Sequence, residues 1–391
     1  IEKSIYKIYM RICVIVPSFF PAVFYGGTIF SIHESLKLFS NKKLEIFVST
    51  TSANGRTRLK VKKNIFLKLK QNYFVKYYFD EIINRFSLSF LFGIWSDVRK
   101  SNIVYVQDIF SIFAILGFVA SRIYNKKCII APRGSLSEYS LKSRFYWLKM
   151  IWIFLFLKIM NKNFFWHVTS EFEKKDIFKL NLNGKIFIIP NFIKFDLKKI
   201  KKLKSLNSIS LNNTKKVLKI GTLTRLDKKK GLLNLIRAFS KLKTKQDVHL
   251  FICGEDHGLK QEIKKEIKIW SLNKKVTILK PLYGIKKYQF LKMLDVFCLP
   301  SKNENFGNVY LESLRVGTPI IASKFTPWKN VIKFKCGLIT NNKIDNIALN
   351  IDKFINNRNK FKKSNCEKLA NLYNEVVIKD LYLKMFYELN K

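Results

Sequence analysis

Val296 to Leu299 is a short apolar run stopped by Pro300. A polar loop then carries the chain to Gly307, after which Val309, Leu311, Leu314 and Val316 give a helical stripe until Gly317 and Pro319 end it. A second apolar run, Ile320 to Ala322, starts at once. Strand, loop, helix and strand in this order suit a parallel sheet. Such a loop lies at the carboxyl ends of the strands, where open α/β sheets bind their ligands. Gly307 lets the backbone approach a ligand closely, and the amino end of the following helix favours a phosphate. Glu304 and Glu312 frame this loop with seven residues between them. Carboxylates accept hydrogen bonds strongly and suit the vicinal diols of a ribose or a hexose. By itself the spacing also describes a solvated helix face beside a glycine turn.

The same alternation runs from the start of the chain. Ile12 to Val16 reads as a buried strand, Tyr25-Gly26-Gly27-Thr28 as a tight or phosphate-cradling loop, and Ile29, Ile32, Leu36 and Phe39 as one face of a helix from Thr28 to about Phe39. Leu44 to Val48, Asn102 to Val106 and Cys128 to Ala131 read as further strands. Between Lys60 and Arg99 the aromatic and basic residues, among them Phe74, Lys76, Tyr77, Tyr78, Phe79 and Arg85, read as helices packed on the sheet or as a coat for a membrane surface. Arg133, in the loop Pro132-Arg133-Gly134-Ser135, suits a phosphate or an acceptor carboxylate. A helix is expected from about Lys142 to Met160, followed by His167 in a core or junction role and by Ser170 as a cap with Glu173 at the third position. Ile186 to Pro190 and Asn191 close this half, and Lys194 to Thr214, rich in Lys, Ser and Asn, reads as a linker.

Beyond it, Val217 to Gly221 is a strand, and Thr222 to Gly231 is a loop opening a helix from Leu232 to Leu242. Arg225 and Lys230 beside a helix start can neutralise a diphosphate without a metal, although in so basic a chain a solvated basic loop reads the same way. His249 to Cys253 ends at Gly254-Glu255, and Val276 to Leu279 leads to Lys280-Pro281-Leu282-Tyr283-Gly284. A helix from Lys286 to Asp295 delivers the chain to Pro300, and helices are expected beyond Gly337.

With Asn305-Phe306-Gly307 and Gly317-Thr318-Pro319 in register, the two glutamates resemble the donor-site signature of the GT4 family of retaining glycosyltransferases. The likeness covers nearly the whole chain, specific in the second half and loose in the first. It implies an α/β chain of the GT-B fold, two Rossmann-like domains facing each other across a cleft. An acceptor-side domain would occupy 1–193, a linker 194–214, a nucleotide-sugar-binding domain 215–372, and a last helix at 373–391 would cross back to the first domain. The resemblance implies catalytic roles for Glu304, Arg225 and Lys230, with Glu304 facing the transferred sugar and Glu312 the nucleotide ribose. It implies donor contacts from Gly27, Gly254, Leu282, Asn305, Phe306, Gly307 and Asn308, with the Leu282 loop recognising the base, and an acceptor-side role for Arg133. The sequence departs from the family in having Arg133 where many members have a His nearby, Phe192 where Gly follows Pro-Asn, and Lys280 where Gly is common. The implied activity moves a hexose-type sugar from a nucleotide diphosphate to a glycan or lipid-linked acceptor with retention of configuration. No metal or other cofactor and no nucleic-acid partner is expected. The expected setting is bacterial surface polysaccharide or lipopolysaccharide biosynthesis, in the cytoplasm or at the inner face of the cell membrane.

Lys+Arg 73 against Asp+Glu 27 gives a formal charge of +46, which suits an anionic partner such as a phosphate-bearing substrate, a membrane surface or nucleic acid. Joint richness in Lys, Ile, Asn and Phe is also the bias of an AT-rich genome. A non-enzymatic binder of nucleic acid or membrane would cluster its basic residues on a recognisable module, and here they are spread along the chain. An epimerase or hydrolase of the same architecture would need acids or a His aimed at the sugar from the first domain, for which Asp108 and Glu138 are the candidates. The six cysteines show no close pairing or metal-ligand spacing and read as buried small hydrophobes in a reducing compartment, and the four histidines are too scattered for zinc. No run reaches the roughly 18 apolar residues of a membrane span. Ile151 to Leu157, between Lys149 and Lys158, reads as a core helix or a surface-seeking amphipath. The basic amino end before Ile12 to Val16 is like a signal peptide only superficially, since Pro17 stops the run, and Met10-Arg11 reads as a natural start.

Overall fold

The computed structural model describes residues 10–22, 24, 26–40, 43–55, 57–79, 87–159, 164–195 and 217–390. The stretch before Met10, Tyr25, Arg85, Met160 and the expected linker from residue 196 onward lie outside the described residues. The chain forms two compact units, the first from Ile1–Lys194 with Glu375–Lys391 and the second from Phe195–Asn374. Each is a Rossmann-like α/β layer structure built on a mainly or wholly parallel sheet.

In the first unit β1 (Met10–Ser18), α1 (Gly27–Phe39) and β2 (Leu44–Thr51) are followed by the short antiparallel pair β3 (Ala53–Asn54) and β4 (Thr57–Arg58). Then come β5 (Phe66–Lys70), β6 (Tyr73–Tyr78), α2 (Leu88–Arg99), β7 (Ile103–Gln107), α3 (Ile112–Ile123) and β8 (Lys127–Ala131). Helices α4 (Glu138–Lys142) and α5 (Tyr146–Trp152), strand β9 (Phe164–Val168), α6 (Glu171–Lys179) and β10 (Lys185–Ile188) complete this part of the unit. The main sheet has the order β10-β9-β8-β7-β1-β2-β6-β5, with only β5 antiparallel to its neighbour. Along β1, Ile12, Val14 and Val16 enter one core while Cys13 and Ile15 enter another. A strand covered on both faces must be apolar at every position, hence its unbroken hydrophobic run.

Two expectations are corrected here. Phe74, Lys76, Tyr77 and Tyr78 form a strand, β6, which pairs in parallel with β2. Tyr73, Val75 and Tyr77 all enter the core that holds Ile12, and aromatic residues pack well on such a half-buried pleated surface. The helix expected from Lys142 to Met160 is broken. Ser143 Oγ donates to the Ser140 carbonyl at 2.7 Å, and Phe145 takes a left-handed φ of 52°, which ends one helix and starts another. Beyond Trp152 the second helix widens into a π-wound turn, Ile153–Ile159.

In the second unit, in chain order, are β11 (Leu218–Leu223), α7 (Leu232–Ser240), β12 (Val248–Cys253), α8 (Lys260–Ile269), β13 (Val276–Leu279) and α9 (Gly284–Met293). Next come β14 (Val296–Leu299), α10 (Asn308–Arg315), β15 (Ile320–Ser323), α11 (Asn330–Lys333), β16 (Gly337–Thr340), α12 (Ile344–Asn356) and α13 (Lys363–Asn371). The sheet runs β13-β12-β11-β14-β15-β16, all parallel. Only helices were expected from Gly337 on, but Gly337–Thr340 pairs in register with Ile320–Ser323 as a sixth strand. The chain works outward through β12 and β13, then returns to the other side of β11 at β14. That reversal is the topological switch point, where a crevice opens at the strand ends.

Helix α14 (Glu375–Asn390) belongs to the first unit. Ile378, Tyr382, Met385, Phe386 and Leu389 enter the same core as Ile12 and Val14, and the Phe39 ring lies 4.8 Å from Tyr382 and 5.0 Å from Phe386. Phe386→Ala should therefore cost about 3–5 kcal/mol through lost burial and a residual cavity. Val376→Ala on the exposed side of this helix should cost less than about 0.5 kcal/mol. Guanidinium denaturation midpoints of the two variants against the parent check the contrast.

Candidate active site

At the switch point the loops after β11 and β14 touch. Lys302 N–H donates to the Lys229 carbonyl at 2.8 Å. Gly231 has φ +70°, and a Cβ there would lie 2.1 Å from the Pro300 carbonyl oxygen, so only glycine admits this approach. Beside it Lys228–Lys230 wind one 3-10 turn, capped by Asp227, which accepts from Lys229 N–H at 2.7 Å. The turn delivers Lys230 to Glu304, Nζ to Oε1 at 2.5 Å, and Ser301 Oγ donates to the same oxygen at 2.9 Å. Their side chains are 12% and 13% exposed, so the pair is largely withdrawn from water. Burial pushes the Glu304 carboxyl up, but Lys230, Lys229 and the Ser301 hydrogen bond outweigh it and leave the group below its ordinary value.

Lys229 has no motif to announce it, yet it stands in the same cluster. Burial lowers its ammonium, with Lys230 and Arg225 acting in the same direction and Glu304 and Asp227 opposing. Arg225 is exposed and has no ion-pair partner among the described residues. Three cations thus converge at the switch point on two carboxylates, one of which is spent on a backbone cap. The excess positive charge suits a phosphate or diphosphate.

Glu304 and Glu312 stand on opposite sides of Gly307, which has φ +74° and precedes the first residue of α10, Asn308. Glu312 is 7% exposed and accepts from Lys287 Nζ at 2.6 Å, so a lysine from α9 serves it as Lys230 serves Glu304. Asn305 is half-buried in the loop. The Phe306 ring is buried, 5.3 Å from Trp328 and 5.6 Å from Tyr373, and the Phe306 carbonyl accepts from Trp328 Nε1 at 2.6 Å. The ring therefore anchors the loop from within. Tyr310 OH also ties α10 to the end of β14, donating to the Leu299 carbonyl at 2.6 Å.

Gly254 ends β12 so close to the preceding loop that a Cβ would lie 1.6 Å from the Thr224 carbonyl oxygen. Half-buried Leu282 follows the end of β13, where Cys253 Sγ donates to the Lys280 carbonyl at 3.2 Å. Of the expected donor-site residues, Arg225, Lys230, Glu304, Asn305, Gly307, Asn308, Gly254 and Leu282 lie on the loops or first helical turns that leave the carboxyl ends of this unit's strands, and Glu312 lies one turn into α10.

Gly27 and Arg133 belong to the first unit, where the order of strands reverses between β1 and β7. A pocket of about 170 Å³ opens there, lined among others by Ser18, Thr28, Gln107, Asp108 and Arg133. Gly27 begins α1 one residue before Thr28. Arg133, at φ +54°, donates from Nε to Gln107 Oε1 at 2.9 Å and from Nη1 to Asn191 Oδ1 at 3.0 Å. Glu173 fixes this loop by accepting from Gly134 N–H at 2.6 Å and Thr169 N–H at 2.8 Å, while Ser170 Oγ caps α6 by accepting from Glu173 N–H. His167 is buried between the Tyr105 hydroxyl and the Ile189 carbonyl, and burial, aided by Arg133, holds its imidazole well below the ordinary range. It is a core residue. Glu138 is exposed on α4 and paired with Lys142 at 2.7 Å.

Residues 204–371 match the family model of glycosyl transferases group 1. A stretch of 120 residues is 36% identical to the N-acetylgalactosamine-N,N'-diacetylbacillosaminyl-diphospho-undecaprenol 4-alpha-N-acetylgalactosaminyltransferase of Campylobacter jejuni, covering 31% of this chain and 30% of that protein. Another of 119 residues is 28% identical to the O-antigen biosynthesis glycosyltransferase WclY of Escherichia coli, covering 30% and 31%. The chain thus spans about a third of the length of these curated relatives. In fold, it is similar to HepE of Anabaena, solved in complex with UDP and glucose, at TM-score 0.75 and 17% identity over 97% of this chain and 100% of that one. The likeness gives the architecture, the GT-B fold.

Because the Glu304 carboxyl is lowered on folding, its stabilisation is complete above the ordinary glutamate value of 4.5 and is lost as pH falls through the lower folded value. Lys230→Met removes the main attraction while burial still disfavours the charge. The variant should lose about 3 kcal/mol at pH 7, and its deficit should shrink as acid protonates Glu304. Thermal midpoints of both proteins between pH 7 and pH 4 give the comparison, and a deficit independent of pH would contradict the assignment.

Proposed function

We propose that this protein is a glycosyltransferase that moves a hexose-type sugar from a nucleotide diphosphate donor to a glycan or lipid-linked acceptor, with retention of configuration. The observation that carries this reading is the Lys230–Glu304 pair set among Arg225 and Lys229 at the switch point of a unit matching group 1 glycosyltransferases. Cleavage of the sugar–phosphate bond leaves negative charge on the nucleoside diphosphate. Arg225, Lys229, Lys230 and the amino end of α10 are aligned to stabilise that charge before it forms, with no metal required. A diphosphate drawing on Lys230 frees carboxylate oxygen on Glu304 to accept hydroxyls of the transferred sugar. Glu312, steadied by Lys287, accepts the ribose hydroxyls, and the Gly254 and Leu282 loops flank the base. As the acceptor oxygen bonds to the anomeric carbon, its proton passes to a phosphate oxygen of the departing group.

The acceptor side is assigned to the first unit, at the pocket of Gln107 and Arg133. The names of the relatives support a glycan or lipid-diphosphate acceptor and a place in bacterial surface polysaccharide synthesis. The setting that goes with this reading is the cytoplasmic face of the membrane. UDP is the first nucleotide to test, since HepE was solved with it. The epimerase or hydrolase alternative differs in needing no acceptor.

A panel of UDP-, GDP- and other nucleotide-sugars is screened for a raised thermal midpoint, since a ligand at 100 times its Kd stabilises by about 2.7 kcal/mol. One nucleotide should raise the midpoint, and Lys230→Ala should abolish the rise. With that donor, Arg225→Ala and Glu304→Gln should each lower turnover by about 10²–10³-fold. Indifference to every nucleotide-sugar, or sugar release at full rate without an acceptor, contradicts the proposal.

A further inference from the structure

Helix α5 and its π-wound continuation have two apolar faces. Ile153 and Leu157 are buried, and Met150, Trp152 and Phe156 pack against the same core. The opposite face is bare, with Trp147 77%, Leu148 63%, Ile151 55%, Phe154 57% and Leu155 44% exposed. Phe145, at the left-handed turn leading in, is 60% exposed. Positions 147, 148, 151, 154 and 155 recur at helical spacing, so these side chains form one stripe along the element. Large aromatic and aliphatic side chains gathered so densely on a water-facing helix mark a surface that is covered in use.

The charges around the stripe select what covers it. From Tyr139 to Ile159 the sequence holds Arg144, Lys149 and Lys158, together with Lys142 that Glu138 pairs, and no acidic residue. Arg144 lies over the Phe145 ring at 4.6 Å, and Lys158 is exposed near the far end. A second copy would bring these cations against their own kind, in a chain of formal charge +46. An anionic lipid surface satisfies both halves of the pattern, with hydrocarbon for the stripe and phosphate for its flanks. Among the described residues no helix is long and apolar enough to cross a membrane. Residues 146–159 span about 20 Å as a helix, short of the roughly 30 Å hydrocarbon core. We infer that α5 and its continuation form a membrane-docking face that lies in the headgroup region of an anionic bilayer, inserting Trp147, Leu148, Ile151, Phe154 and Leu155. The inference deepens the reading of a lipid-linked acceptor, because a docked enzyme meets such an acceptor at the surface where it resides.

Flotation with vesicles of phosphatidylglycerol and phosphatidylethanolamine, against vesicles of phosphatidylcholine alone, provides the test. The full chain should float with the anionic vesicles and about tenfold less with the neutral ones. The double variant Trp147→Glu with Phe154→Glu should lose vesicle binding by about tenfold or more. Its thermal midpoint and donor-induced shift should stay unchanged, since both side chains face solvent in the first unit. Undiminished flotation of the double variant would assign attachment to diffuse basic charge and overturn the inference, as would absence of wild-type flotation. Self-association of the parent, removed by the double variant, would overturn it in favour of a second copy. The donor-induced shift is read separately, so failure of the nucleotide-sugar reading shows there whatever the vesicles do.

Discussion

An ammonium and a carboxylate held together in a nearly dry place govern the second unit. Burial alone would drive Glu304 toward its neutral form, and Lys230, with Lys229 behind it, reverses that. The reversal depends on a backbone approach that no side chain would allow, since Gly231 rests almost on the Pro300 carbonyl. That approach in turn exists because β11 and β14 are neighbours across the turning point of the sheet. Strand order, glycine placement and ion pair are thus successive consequences of one topology. The charges are fixed before any ligand arrives, and a preorganised site avoids reorienting its dipoles during reaction.

The first unit repeats the plan with different chemistry. Its own turning point, between β1 and β7, opens onto a pocket whose Ser18 Oγ and Gln107 Nε2 are buried without a hydrogen-bond partner. Arg133 reaches it through a left-handed backbone position braced by Gln107, Asn191 and the Glu173 clasp on Gly134. Strain and unsatisfied polarity persist at such places only where surrounding structure enforces them.

Strands covered on both faces were legible almost to the residue, as Val296–Leu299 illustrates, because burial on both sides demands an unbroken apolar run. β6 was not, since its Tyr, Phe, Val and Lys suit a helix packed on a sheet as well as a strand, and only pairing with β2 decides. The break before Tyr146 escaped for a related reason: a serine side chain bonding to backbone just ahead of a hydrophobic stretch leaves no mark on periodicity. At the site, Glu304, Lys230 and Gly307 announced themselves by register with neighbouring motifs. Lys229 and Lys287 did not, because in a lysine-rich chain nothing local tells which ammonium the tertiary fold will deliver to a carboxylate. Phe306 sits in the motif, yet its ring is turned into the core.

Helix α14 supplies Ile378, Tyr382, Met385, Phe386 and Leu389 to a core whose other residues come from the first half of the chain. The second unit, by contrast, is continuous in sequence. On the ribosome the order of completion is therefore inverted: the unit begun first waits, with an apolar surface uncovered, until α14 has emerged, while the unit begun second can close as soon as Asn374 is free.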